Sequence, residues 1–287
     1  EAAGEVVGAG PGVDDLSRGD RVVMVFVPSC GHCMPCAEGR PALCEPAAAA
    51  NAAGEMLAGG RRLSVGGEPI HHHIGVSSFA EYAVVSRHSL VKIDTDVPYE
   101  IASLFGCAVL TGVGAVVNSA KVKAGETVAV VGLGGVGLSA LLGAVAAGAS
   151  RIIAVDLSRD KLTRAGDLGA TDVFNAGEEG VVDAIRALTR GGVDHSFEMA
   201  GSVKALDLAF QITCRGGTTT TAGLANPNHT LSLSPTRLVA EERRLQGSYL
   251  GSCVPTRDIP RFIALYRRGK LPVDKLWTSS SSLETIN

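Results

Sequence analysis

Apolar positions along this chain change texture partway along. Up to about Leu110 they form short alternations broken by Gly and Pro. Glu5-Val6-Val7-Gly8, Arg21-Val22-Val23-Met24-Val25 and Phe79-Ala80-Glu81-Tyr82-Ala83-Val84-Val85 read as strands. Short strands separated by turn residues predict a β-rich, barrel-like region. The Ala- and Gly-rich stretch 47–60 predicts an exposed loop. From about Thr111 the apolar runs become continuous. Thr127-Val128-Ala129-Val130-Val131 reads as a strand covered on both faces. A helical pattern over 136–147 follows, then a strand at Arg151-Ile152-Ile153-Ala154-Val155 and a polar helix over 158–168. The cycle repeats with strands near 172–174, 193–197 and 218–222 and helices over 178–189 and 203–213. Strands alternating with helices of this length predict an α/β fold with a parallel, doubly wound sheet. Beyond about Ser252 the pattern predicts one helix over 257–268 and a strand near Trp277, packing back on the first region.

Bulk properties narrow the function classes. The 287 residues suit one large or two ordinary domains. A chain of this length buries roughly three quarters of its unfolded surface and needs no covalent staples. Hydrophobic residues make up 46% and charged residues 19%, which excludes a disordered chain. The net charge of −3 gives no basic face for nucleic acid or an anionic membrane. The most apolar stretch, 138–147, is too short to span a bilayer, and no export signal is apparent. Four of the seven cysteines crowd into fifteen residues. An odd count, tight clustering and no export signal favour metal binding in a reducing, cytoplasmic setting.

The crowded cysteines are Cys30, Cys33, Cys36 and Cys44, spaced C-x2-C-x2-C-x7-C. Four thiolates about 2.3 Å from a central ion make a closed tetrahedral zinc site, which leaves no position for water and marks a structural zinc. An iron–sulfur cluster is the rival reading, although the long last gap departs from the usual ferredoxin spacing. His32, inside the loop, reads as solvent-facing.

Gly132-Leu133-Gly134-Gly135-Val136-Gly137 is G-x-G-x-x-G, set between a predicted strand and a predicted helix. Gly132 permits the tight turn, Gly134 admits the pyrophosphate and Gly137 lets helix and strand close up. The phosphates would meet free N–H groups, those of Gly135 and Val136 included, at a helix N-terminus. Asp156 ends the next strand, 24 positions after Gly132. Its carboxylate is placed to accept the adenosine ribose hydroxyls and would repel a 2′-phosphate, so NAD is expected over NADP. Lys161 follows on the adenosine side. His71-His72-His73 reads as a loop, and His195, Cys214, Cys253 and Glu198 read as packing residues.

Together these motifs resemble the zinc-dependent medium-chain alcohol dehydrogenases, close to the animal and glutathione-linked classes. The resemblance spans the chain and includes Gly106-Cys107-Ala108-Val109-Leu110-Thr111-Gly112 and Gly192-Val193-Asp194-His195-Ser196-Phe197-Glu198. It implies a GroES-like catalytic domain over 1–110, a Rossmann domain over 111–251 and a return to the catalytic domain over 252–287. It also implies hydride transfer from an alcohol, or a thiol–formaldehyde adduct, to NAD. A second, catalytic zinc would be held by a Cys, a His and another Cys, of which Cys107 matches the last. Glu1 matches the glutamate behind that zinc. Thr111 and Val136 match the nicotinamide pocket, and Gly223-Leu224 the carboxamide side. The other ligands would precede Glu1, so the chain is expected to be cut at both ends. Segment 245–252 resembles a strand that joins two copies, which implies a homodimer or homotetramer. The alternatives are a polyol or amino-alcohol dehydrogenase and a NAD-binding protein without catalysis.

Overall fold

The computed structural model describes residues 1–94 and 96–286. The chain divides into two compact units, Glu1–Ala108 with Cys253–Asn287, and Val109–Ser252.

In the first unit, β1 (Ala2–Glu5), β2 (Arg21–Met24) and β5 (Leu90–Ile93) form an antiparallel sheet in the order β1-β2-β5. Val22 and Val23 are buried on β2, and Val6, Leu16 and Leu90 pack with Val22 into a small apolar cluster. Between β2 and β5 lie the short helix α1 (Met34–Ala37), α2 (Glu45–Ala53) and a two-stranded ribbon of β3 (Leu63–Val65) and β4 (Glu68–Ile70). α3 (Tyr99–Leu104) follows β5.

Four expectations are corrected in this unit. The strand predicted over 5–8 is β1, which ends at Glu5. The stretch 47–60 opens as helix α2, not as a loop, because alanine is the best helix former. Gly54, left-handed with φ 64°, then ends the helix. Residues 79–85 form no strand, and Phe79 and Tyr82 are three-quarters exposed. An alternating pattern supplies side chains for one face, but a strand also needs a neighbouring edge to hydrogen-bond with. Near Trp277 the chain makes a single 3-10 turn, Val273–Leu276, where a strand is expected.

The second unit begins in α4 (Ala108–Gly114), which continues as a wider turn through Ala120. Its sheet is built from β6 (Thr127–Val131), β7 (Arg151–Asp156), β8 (Asp172–Asn175), β9 (Val193–Glu198), β10 (Thr213–Thr221) and β11 (Arg244–Gly247). All neighbours are parallel and the order is β11-β10-β9-β6-β7-β8. α5 (Gly135–Ala147), α6 (Arg159–Asp167), α7 (Val181–Leu188) and α8 (Val203–Ile212) make the crossovers between successive strands through β10. α9 (Pro235–Ala240) precedes β11. Ile153, Ile185, Ile212 and Val193 are buried together, the apolar layer that a sheet covered by helices requires. The strand order reverses beside β6, and ligands of such sheets bind outside the strand C-termini at that point. The chain returns to the first unit through α10 (Pro255–Arg267), whose Arg267 holds the carboxylates of Asp94 and Asp96.

Candidate functional site

In the first unit the sulfurs of Cys30, Cys33, Cys36 and Cys44 all lie within 4.8 Å of one another. Gly31 and Gly39, both at positive φ, let the chain turn twice around this point. Backbone N–H groups already face the sulfurs: Cys33 donates to Cys30 Sγ and Cys30 donates to Cys44 Sγ, each at 3.3 Å. The His32 backbone N–H beside Cys30 draws its thiol down to about 6, whereas burial pushes Cys36 up to about 12. Four crowded thiols therefore do not all ionise unaided, and a central dication is what would bring all four to the thiolate form. Tetrahedral zinc with sulfurs at 2.3 Å sets them about 3.8 Å apart, and the cluster fits that size. His32 is exposed and turns its Nδ1 to the Cys30 carbonyl.

Cys107 sits elsewhere in this unit. The Glu1 carboxylate accepts the neighbouring Ala108 N–H at 2.6 Å, so the fold brings Glu1 to the peptide that follows Cys107. Among the described residues the four-cysteine group is where three or more metal donors gather, and Cys107 by itself does not complete a second site. Thr111 is buried in α4.

In the second unit the glycine loop joins β6 to α5. Gly132 adopts φ 94°, and a Cβ there would lie 2.7 Å from the backbone of Ala200. A Cβ on Gly137 would lie 1.8 Å from the Gly132 carbonyl, so this helix and strand close up only on glycine. Gly134 caps α5 without a side-chain hydrogen bond and faces open space, with Gly135 exposed and Val136 half-buried beside it. The first-turn N–H groups are thus left for an outside anion, with the helix dipole behind them.

Beside this loop lies a cleft of about 380 Å³ lined by Gly132, Asp156, Lys161, Ala200, Ser202 and Lys204, among others. The Asp156 carboxylate accepts the N–H groups of Leu133 at 2.7 Å and Ser158 at 2.9 Å, and Lys161 Nζ stands 3.8 Å away. Asp156 therefore shapes the loop as well as the cleft wall. Gly223 and Leu224 do not line this cleft: they pack over Gly201, and the Leu224 side chain is 83% exposed. Lys204 and Ser202 escaped the sequence reading. Their signal was position, since they open a helix directly after a strand C-terminus, where ligands collect.

Other candidates resolve into packing. His72 is buried and its Nε2 accepts the Arg62 N–H. His195 pairs with Glu126 at 3.0 Å. Arg243 is buried with Glu241 and the Phe210 ring, whereas Arg244 is exposed at the start of β11.

A doubly wound sheet with an open glycine loop, together with a four-thiol metal loop on a β-rich unit, is the architecture of the zinc-binding dehydrogenases. The comparisons give the family. The Alcohol dehydrogenase GroES-like domain matches residues 1–95 and the Zinc-binding dehydrogenase domain matches residues 135–268. An alcohol dehydrogenase zinc-binding domain protein from Burkholderia ambifaria is 37% identical over 99% of this chain and 77% of its own, with a TM-score of 0.93. Benzyl alcohol dehydrogenase from Acinetobacter calcoaceticus is 35% identical over 96% of this chain and 74% of its own, at 0.87. A zinc-binding dehydrogenase from Sinorhizobium meliloti, bound to NADP, is 25% identical over 98% of this chain and 79% of its own, at 0.73. The chain belongs to the zinc-binding alcohol dehydrogenase family.

Proposed function

We propose that the protein is a zinc-dependent alcohol dehydrogenase that passes hydride from an alcohol, or a thiol–formaldehyde adduct, to NAD. The observation that carries the coenzyme reading is the open N-terminus of α5 after the glycine loop, with Asp156 on the adjoining cleft wall. Gly132, Gly134, Gly135, Val136 and Gly137 would seat the pyrophosphate on backbone N–H groups. Asp156 would meet the adenosine ribose, and Lys161 its neighbourhood. A 2′-phosphate would meet the Asp156 charge, which favours NAD, although Lys161 and Lys204 on the same cleft soften that repulsion. Gly223 and Leu224 would meet the carboxamide side, and Thr111 the nicotinamide pocket. Cys30, Cys33, Cys36 and Cys44 would hold a structural zinc, and Cys107 would give one thiol to a catalytic zinc with Glu1 behind it. When bound, that zinc polarises the alcohol oxygen and the nicotinamide accepts the hydride. This chain's own part is to bind and orient the coenzyme.

The kinship to an enzyme of benzyl alcohol puts aromatic primary alcohols on the substrate panel. Reduction of NAD, followed at the NADH absorbance band with benzyl alcohol, short alcohols, polyols and S-hydroxymethyl thiols, tests the reading. Turnover with an alcohol and NAD supports it. Tight NADH binding without turnover of any substrate leaves a coenzyme-binding protein instead. Two copies are further proposed to pair through β11, an edge strand whose Leu245 is partly exposed beside Tyr249. A monomer in light scattering would count against that pairing. Among the described residues no helix is long and apolar enough to cross a membrane.

A further inference from the structure

Glu198 ends β9 and is 1% exposed, yet it faces no basic side chain in an ion pair among the described residues. Burying a carboxylate is costly unless hydrogen bonds replace its water. Here four do. Three successive backbone N–H groups converge on Oε1, from Ala200 at 2.8 Å, Gly201 at 2.7 Å and Ser202 at 3.3 Å. The Thr221 hydroxyl donates to Oε2 at 2.6 Å. Converging N–H groups of this kind form a concavity suited to an anion, and protein folds commonly leave such a nest for a ligand phosphate. In this chain an internal carboxylate fills it.

The position matters because of what the clamped loops touch. Ala200 abuts Gly132, close enough that only glycine is tolerated there, so the 199–202 loop braces the first glycine of the phosphate-binding turn. Ala200 and Ser202 also line the cleft beside that turn. A Cβ on Gly223 would meet Gly201 N at 2.2 Å and Glu198 Oε2 at 2.9 Å, so the loop after β10 lies directly on the same carboxylate. The Glu198 backbone carbonyl receives the Ala222 N–H at 3.0 Å as well. The loops after β9 and β10 therefore meet on this one side chain, and the loop after β6 rests against Ala200 of the first. The helices α5 to α8 all open on this C-terminal edge of the sheet; the N–H groups of 200–202, just before α8, turn onto Glu198, and no side chain caps α5 or α8.

We infer that Glu198 is a positioning residue for the coenzyme: an internal anion that fills the nest before α8 and, through the 199–202 loop, braces the glycine loop that opens α5. This rests on the coenzyme reading above. Without the carboxylate, the three N–H groups lose their common acceptor and the 199–202 loop loses its hold on Gly132. Coenzyme affinity falls, while the chemistry of bound coenzyme is little changed.

The test measures NADH binding by fluorescence, and KM for NAD and kcat on whichever alcohol the wild type turns over. Glu198→Ala is expected to weaken NADH and raise the NAD KM about tenfold, equivalent to about 1.4 kcal/mol, with kcat within about threefold of wild type. Glu198→Gln keeps an oxygen for the three N–H groups and an amide that can donate to Thr221, so it should recover most of the affinity. Added formate, small enough for the space opened by the alanine, should partly restore Glu198→Ala and do nothing to wild type. Hydrogen exchange should speed up over 199–202 in the alanine variant and slow again with formate, whether or not coenzyme is present. A Glu198→Ala protein that binds NADH like wild type overturns the inference. So does a variant with the same loss in Gln and Ala forms and no response to formate. If wild type itself binds no NADH, the coenzyme reading fails, while the exchange measurement still reports separately on the nest.

Discussion

The two site regions are built on opposite plans. The metal loop draws all four sulfurs from fifteen consecutive residues, 30–44, and its geometry is a property of that loop. The cleft beside the glycine loop draws on Gly132, Asp156, Ala200 and Lys204, which lie at or just after the C-terminal ends of three different strands. Closing a short loop around an ion costs little chain entropy, so the first site can form with little help from the rest of its unit. The second exists only when the whole parallel sheet is assembled, because β6, β7 and β9 must be neighbours before their C-terminal loops can meet. A contiguous site should therefore fail locally when its ion is lost, and a distributed site should fail whenever its sheet or packing is disturbed.

The largest expected effect is removal of the metal. Cys44 is the buried member of the cluster, and wild type is expected to carry one stoichiometric zinc in metal analysis that Cys44→Ala abolishes. It should cost several kcal/mol of stability, since binding to such a site is coupled to folding. If the loop is as self-contained as its sequence, NADH binding should persist below the lowered melting temperature. Simultaneous loss of zinc and NADH binding would break the contrast. Next in size is Gly137→Val. The added carbons meet the Gly132 carbonyl, so helix and strand must separate. A cost of about 3 kcal/mol and loss of NADH binding are expected, with the zinc content unchanged.

A smaller effect belongs to Asp156→Asn. The amide oxygen can still accept one of the two backbone N–H groups, so the fold should hold. Losing the charge beside Lys161 should weaken NAD and improve NADP, moving the ratio of their KM values about tenfold toward NADP. An unchanged ratio would remove Asp156 from the coenzyme reading. The smallest effect concerns pH in the first unit. Burial pushes the Asp258 carboxyl up, but hydrogen bonds from Arg257 and the Val254 N–H outweigh it and hold the group below its ordinary value. A carboxyl lowered in the folded state adds stability that is present above the unfolded value, about 3.9, and is lost as pH falls through the folded one. Wild type should thus lose more melting temperature than Asp258→Asn between about pH 5 and pH 3. Equal losses would show that the pair contributes nothing to acid stability.

Legibility followed the same divide. The central strands of the second unit were readable because they are buried, and continuous runs such as Thr127-Val128-Ala129-Val130-Val131 have few other uses, whereas the edge strand β11, largely exposed, left no such run. The first unit misled where a pattern allowed two outcomes. Residues 79–85 alternate like a strand but pair with none, and the alanines of α2 look like a loop only when helix propensity is ignored. Glu198 was visible as a residue but not as a clamp, since its partners on 200–202 and Thr221 meet it only through the fold.

The sequence by itself determined the donor set of the metal loop, the glycine turn and the alternation that builds a parallel sheet. These depend on neighbours along the chain, whose distances are set by covalent geometry. Only the tertiary structure decided that Lys204 joins the cleft, that Asp156 holds Leu133 as well as lining the cleft, and that a buried carboxylate joins the loops after β9 and β10. Those contacts join residues far apart in sequence, and they arise once burial of the apolar runs has fixed the strand order and left each polar group to find its partner.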